Sequence, residues 1–141
     1  MLERHERYKK QLKTYLEDRD LKPEFERDFI DVRFSIARRQ FFGELKVSGP
    51  PSITESFRMA VGQLLDYRHS YFREQSAAIM FLDCQVPLEK LDLATKLGIA
   101  VVCYLGGSFS LCNPKVHPQL MSIFPTISSA SDIATAAING H

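Results

Sequence analysis

Apolar positions recur along this chain with two different periods. Within residues 2–19, "LERHERYKKQLKTYLEDR", Tyr8, Leu12, Tyr15 and Leu16 are spaced by helical intervals and form one stripe, which predicts an amphipathic helix. Pro23 limits its extension, because the residue before a proline is pushed out of the helical region. From Asp28 to Ile36 the period becomes two. Ile30, Val32, Phe34 and Ile36 share one face of a predicted strand, and Phe29, Asp31, Arg33 and Ser35 share the other. Gln40–Ser48 alternates as well, with Phe41, Gly43, Leu45 and Val47 opposed to Phe42, Glu44, Lys46 and Ser48. An antiparallel hairpin with a solvated turn around Arg38 and Arg39 joins the two runs economically, although no Asn-Gly or Asp-Gly pair marks the turn.

Further on, "SGPPS" reads as a loop, and Ser52-Ile-Thr-Glu55 has the capping-box pattern that opens a helix. That helix is expected to run through "ESFRMAVGQLLDYRHSYF" and to bury Phe57, Val61, Leu64 and Leu65. Ala77–Cys84 and Ile99–Leu105 are short apolar runs of buried-strand type. Between them lies a helix started by Pro87 and closed by Gly98. Strand, helix and strand at this spacing predict a right-handed crossover and parallel pairing. Beyond Ser108 the pattern is loop-like, with a last short helix over "SDIATAAI". The element order is α-β-β-α-β-α-β, with room for one more strand before Asp28. That is an α/β class with a mixed sheet flanked by helices.

Composition narrows the setting. A chain of 141 residues suits one domain, with its core over about 28–105 and a C-terminal extension over 108–141. Lys and Arg number 18 against 17 Asp and Glu, so bulk charge does not announce a nucleic-acid partner, and a local basic face stays open. The charged first twenty residues predict no secretory signal, and no apolar run is long enough to span a membrane. Three widely spaced cysteines and four histidines show neither a zinc ribbon nor a disulfide framework, and a cytoplasmic protein with reduced thiols is expected.

Candidate chemistry sits on the polar face of the predicted hairpin. With the turn near residue 38, Asp31 lies across from Glu44 or Lys46. Two carboxylates on adjacent strands suit Mg²⁺, which takes oxygen ligands and keeps several waters. A lysine beside them can orient a water or stabilise charge developing on a phosphate. The bland alternative for Glu44 and Lys46 alone is a solvated strand face with a weak ion pair.

Asp31, followed by Glu44-x-Lys46 within "GELK" on the next strand and then a helix, resembles the PD-(D/E)XK nuclease superfamily. Gln63 and Tyr67 in "GQLLDY" match the Q-x-x-x-Y spacing of its RecB-like exonuclease domains. The resemblance covers about Asp28 to Leu105. It implies a restriction-endonuclease-like fold and Mg²⁺-dependent hydrolysis of DNA, with Mn²⁺ able to substitute. It also implies Asp31 and Glu44 as metal ligands, and Lys46, Gln63 and Tyr67 as further site residues. Resolvase-like members carry another glutamate on the first helix, for which Glu6 is the candidate here. DNA is the implied partner, acted on by a homodimer or within a larger complex. The rival reading is an inactive nucleic-acid-binding or assembly module that keeps the fold.

Overall fold

A computed structural model describes residues 2–27, 30–47, 52–72 and 76–127 of the chain. Its centre is a six-stranded mixed sheet whose strands lie side by side in chain order. Helix α1 (Leu2–Glu17) leads into β1 (Glu24–Arg27), β2 (Ile30–Ile36) and β3 (Arg39–Lys46), which form an antiparallel meander. Helix α2 (Ile53–Tyr67) continues as a π-helical turn, Arg68–Phe72, into β4 (Ser76–Leu82). Helix α3 (Leu88–Lys96) then carries the chain to β5 (Ile99–Leu105) and β6 (Ser108–Leu111), and a short 3₁₀ helix spans Pro118–Ser122. β4 and β5 are parallel, as the crossover pattern predicts, β3 also pairs parallel with β4, and β6 returns antiparallel.

Two apolar cores sandwich the sheet. On one side Tyr8, Leu12 and Leu16 of α1 pack against Val32, Phe34, Phe41, Leu45, Ile79, Phe81 and Val102. On the other, Phe57, Ala60 and Leu64 of α2 meet Phe42, Met80, Leu82, Val101 and Cys103. Alternating side chains of the central strands supply both cores. Gly43 is needed for close packing on the α1 side: a β-carbon there would lie 2.6 Å from Cε2 of the buried Phe81 ring.

The further strand allowed for before Asp28 is β1, although "EFER" has too few apolar positions to fix its bounds. Several other expectations are corrected. The expected loop after Ser108 begins with a strand. It is joined to β5 by Gly106-Gly107, with φ of 59° and 80°, the doubly left-handed turn that glycine pairs favour. Asn113 then pins this segment to the sheet, donating to the Ile99 carbonyl at 2.9 Å and accepting from the Val101 amide at 2.7 Å. The β2–β3 turn places Ala37 at φ 54° in the absence of glycine or asparagine, which is why no turn signal was visible. Ser52 precedes α2 without making the side-chain hydrogen bond of a capping box. Ile30 packs in the α2-side core while Val32 packs in the α1-side core, so the alternation expected along β2 breaks at Asp31. The helix expected over "SDIATAAI" and Asp28, at the head of the alternating run, lie outside the described residues.

Candidate functional site

The break at Asp31 opens the site. The β2–β3 pairing runs from Ile36↔Arg39 to Val32↔Gly43 and stops one pair short of Asp31 and Glu44. Asp31 takes over the next ladder position with its side chain, Oδ2 accepting a hydrogen bond from the Leu45 amide at 2.8 Å. The carboxylate is therefore held between the strands, beside Glu44 and half-buried.

Glu44 is the least ordinary residue of the set. It is 4% exposed, one of the few buried charged or polar residues among those described. Burial, then the neighbouring Asp31 carboxyl, raise its pKa from 4.5 to about 9, against the opposing pull of the Lys46 ammonium and the Tyr67 hydroxyl. Two acids this close share a hydrogen bond only if one keeps its proton. Glu44 Oε2 is buried and has no hydrogen-bond partner. An acid pair with an orphaned buried oxygen is a donor set that lacks positive charge, and a hard divalent cation fits it.

Lys46 lies two positions on, on the same face as Glu44, its Nζ 4.0 Å from Glu44 Oε1. It is largely buried, so the pair is no solvated ornament of a strand surface. α2 contributes Tyr67, whose hydroxyl hydrogen-bonds Glu44. Burial and the two acids push that phenol to about 12, which keeps it a donor. Gln63, one helical turn earlier, makes no hydrogen bond to Asp31 or Glu44, and its Oε1 is buried without a partner. The structure thus brings Asp31, Glu44, Lys46 and Tyr67 together and leaves Gln63 without a hydrogen bond to them.

His5 was not anticipated. Its Nε2 lies 3.8 Å from Asp31 Oδ2, and its ring also belongs to a cluster with Glu6 and Glu26 that has metal-ligand spacing. The histidines show no such spacing in sequence, because the partners of His5 come from β1 and β2 across the hairpin. Its place on α1, one turn before the buried Tyr8, was the available signal. Glu6, the candidate for the extra helical acid, is half-exposed and engaged by Lys9, whose Nζ bridges Glu6 at 2.9 Å and Glu26 at 2.8 Å. That ammonium holds the Glu6 carboxyl below its usual range. At this end of the sheet α1 is tied down by the Tyr8 hydroxyl, which donates to the Leu82 carbonyl at 2.9 Å, and by Arg4 on Asp83 at 2.6 Å.

Comparison with protein families, with curated proteins and with solved structures finds no match to this chain. Among the described residues no helix is long and apolar enough to cross a membrane.

Proposed function

We propose that the chain is a divalent-metal-dependent nuclease that hydrolyses phosphodiester bonds of DNA, within a restriction-endonuclease-like fold. One observation carries this reading: the buried Asp31–Glu44 carboxyl pair with an orphaned oxygen and a lysine ammonium 4.0 Å away. Asp31 and Glu44 would hold Mg²⁺, or Mn²⁺ in its place, and His5 is positioned to add a nitrogen ligand beside Asp31. When bound, such an ion supplies Lewis-acid polarisation of the phosphate and a more acidic water.

The chain's own residues do the rest. The Leu45 amide fixes the orientation of Asp31, and the Tyr67 hydroxyl does the same for Glu44. Lys46 presents a fixed positive charge to a phosphate brought against the acids, where it stabilises the charge that develops on the oxygens or orients the attacking water. The DNA chain is the partner, and a homodimer or a larger assembly would allow both strands to be cut.

An inactive module that only binds nucleic acid would have no use for an acid held near pKa 9 next to a lysine, because that arrangement weakens the fold. The test is cleavage of single- and double-stranded DNA by the purified chain with Mg²⁺ or Mn²⁺, and with chelator. Cleavage that needs the ion and is lost in Glu44→Ala supports the nuclease. DNA binding without turnover in either metal favours the inactive module.

A further inference from the structure

The opposite end of the sheet carries a second group of charged side chains. β3, β4 and β5 run parallel, so their first residues, Arg39, Ser76 and Ile99, lie together. Arg39 lies about 17 Å along β3 from Glu44, at roughly 3.3 Å per residue. Arg38 and Arg39 were expected to share a solvated turn. Arg38 is exposed, but Arg39 is half-buried, and its Nε is buried without a hydrogen-bond partner. His117, brought here by the segment that Asn113 pins to β5, sets its ring edge-on to Phe41 and hydrogen-bonds the Gly98 carbonyl. Its Nε2 is likewise buried without a partner. Arg68, just past α2, places Nη2 3.2 Å from the Leu97 carbonyl and Nη1 against Gly98.

We propose that Arg39, Arg68 and His117 form a binding site for a phosphoryl group, separate from the acid pair and independent of its metal. Two guanidiniums give a fixed charge of two, which matches a phosphate monoester or inorganic phosphate better than a singly charged carboxylate. Buried nitrogens without partners are costly unless a ligand satisfies them. Among the described residues, the charged groups acting on His117 are both cationic, Arg39 and Arg68. Together with burial they hold the imidazole below its ordinary pKa. An arriving dianion reverses that balance, so His117 takes up a proton and its Nε2 becomes a third donor. The same chemistry would serve free phosphate or the terminal phosphate of a nucleic acid.

The experiment is a titration of the full chain with inorganic phosphate in the presence of chelator, against chloride at matched ionic strength. It is followed by calorimetry and by the NMR signals of the His117 ring, assigned with His117→Asn. Saturable phosphate binding is expected, with the His117 pKa rising as phosphate is added. Arg39→Gln and Arg68→Gln should each weaken binding at least tenfold, and Asp31→Asn should leave it unchanged. Oligonucleotides with 5′-phosphate and 5′-hydroxyl ends separate the two sources. A 5′-phosphate preference lost in Arg39→Gln assigns the site to nucleic-acid ends, and binding of inorganic phosphate alone assigns it to the free ion. A response no larger than that to chloride, or phosphate binding that survives both arginine variants with the wild-type His117 signal unmoved, overturns the proposal.

Discussion

Asp31 hydrogen-bonds the backbone of Leu45 rather than pairing with β3 through its own backbone, so one carboxylate completes the sheet and, in the proposed site, would also offer oxygen to a metal ion. These two tasks separate by mutation. Asp31→Asn keeps an acceptor for the Leu45 amide, whereas Asp31→Ala leaves that amide unpaired. Both should abolish binding of Mn²⁺ at the pair. The alanine variant should be less stable than the asparagine variant by about 1–3 kcal/mol, the usual penalty for an unsatisfied amide. Denaturant unfolding of the two proteins side by side checks this. Equal stabilities would mean that the hydrogen bond is structurally idle.

Lys46→Ala should leave the fold and ion binding close to wild type while cleavage falls roughly 10²–10³-fold, the usual loss for one preorganised charge-stabilising group. Glu44→Ala removes an acid that the proposed mechanism uses to hold the ion, so ion affinity and cleavage should fall together. Calorimetry beside cleavage rates distinguishes the two patterns. A Lys46→Ala protein that cuts at the parent rate removes the lysine from the mechanism.

Stability should depend on pH through Glu44. The folded chain holds this proton up to about 9, while the unfolded chain releases it near 4.5. The contribution is therefore fully present below pH 4.5 and is lost progressively as pH rises to about 9, by about 1.4 kcal/mol per pH unit. At pH 7 the accumulated loss is of the order of 3 kcal/mol. Glu44→Gln removes the titration and should raise the melting temperature at pH 7–8, with a difference that vanishes near pH 4. A variant less stable than the parent at pH 8 contradicts the burial argument.

Ion binding should eject that same proton. Between pH 6 and the Glu44 pKa of about 9, the apparent affinity for Mn²⁺ should rise close to tenfold per pH unit and then level off. Calorimetric heats measured in buffers of different ionisation enthalpy should report about one proton released near neutrality. A pH-independent affinity would place the ion elsewhere, with the His5, Glu6 and Glu26 cluster as the first alternative to examine.

The parts of this arrangement that follow from local periodicity were legible in the sequence. Strand alternation puts Glu44 and Lys46 on one face, and helical spacing puts Gln63 and Tyr67 one turn apart. Parity alone did not reveal that β2 breaks at Asp31, because the break depends on the side chain competing with the backbone for Leu45. β1 was allowed for but not placed, because a four-residue edge strand rich in charge has almost no pattern to read. β6 had a signal in Gly106-Gly107, but the polar residues around it masked the strand. His5 was invisible for another reason: its neighbours Glu26 and Asp31 are distant in the chain, and only the docking of α1 over the end of the sheet brings them together.

Gly43 stands between the packed interior and the acid next to it. Every other amino acid carries the β-carbon that would collide with Phe81, itself fully buried and unable to swing aside. Position 43 therefore has no silent replacement, and a change there would be transmitted to Glu44 through the bond between them. Lys46, by contrast, lies outside the packed interior, and a change there takes nothing from either core. At Gly43 a change would disturb the interior and the acid pair at once, so an inherited copy of this chain would keep or lose both in a single step.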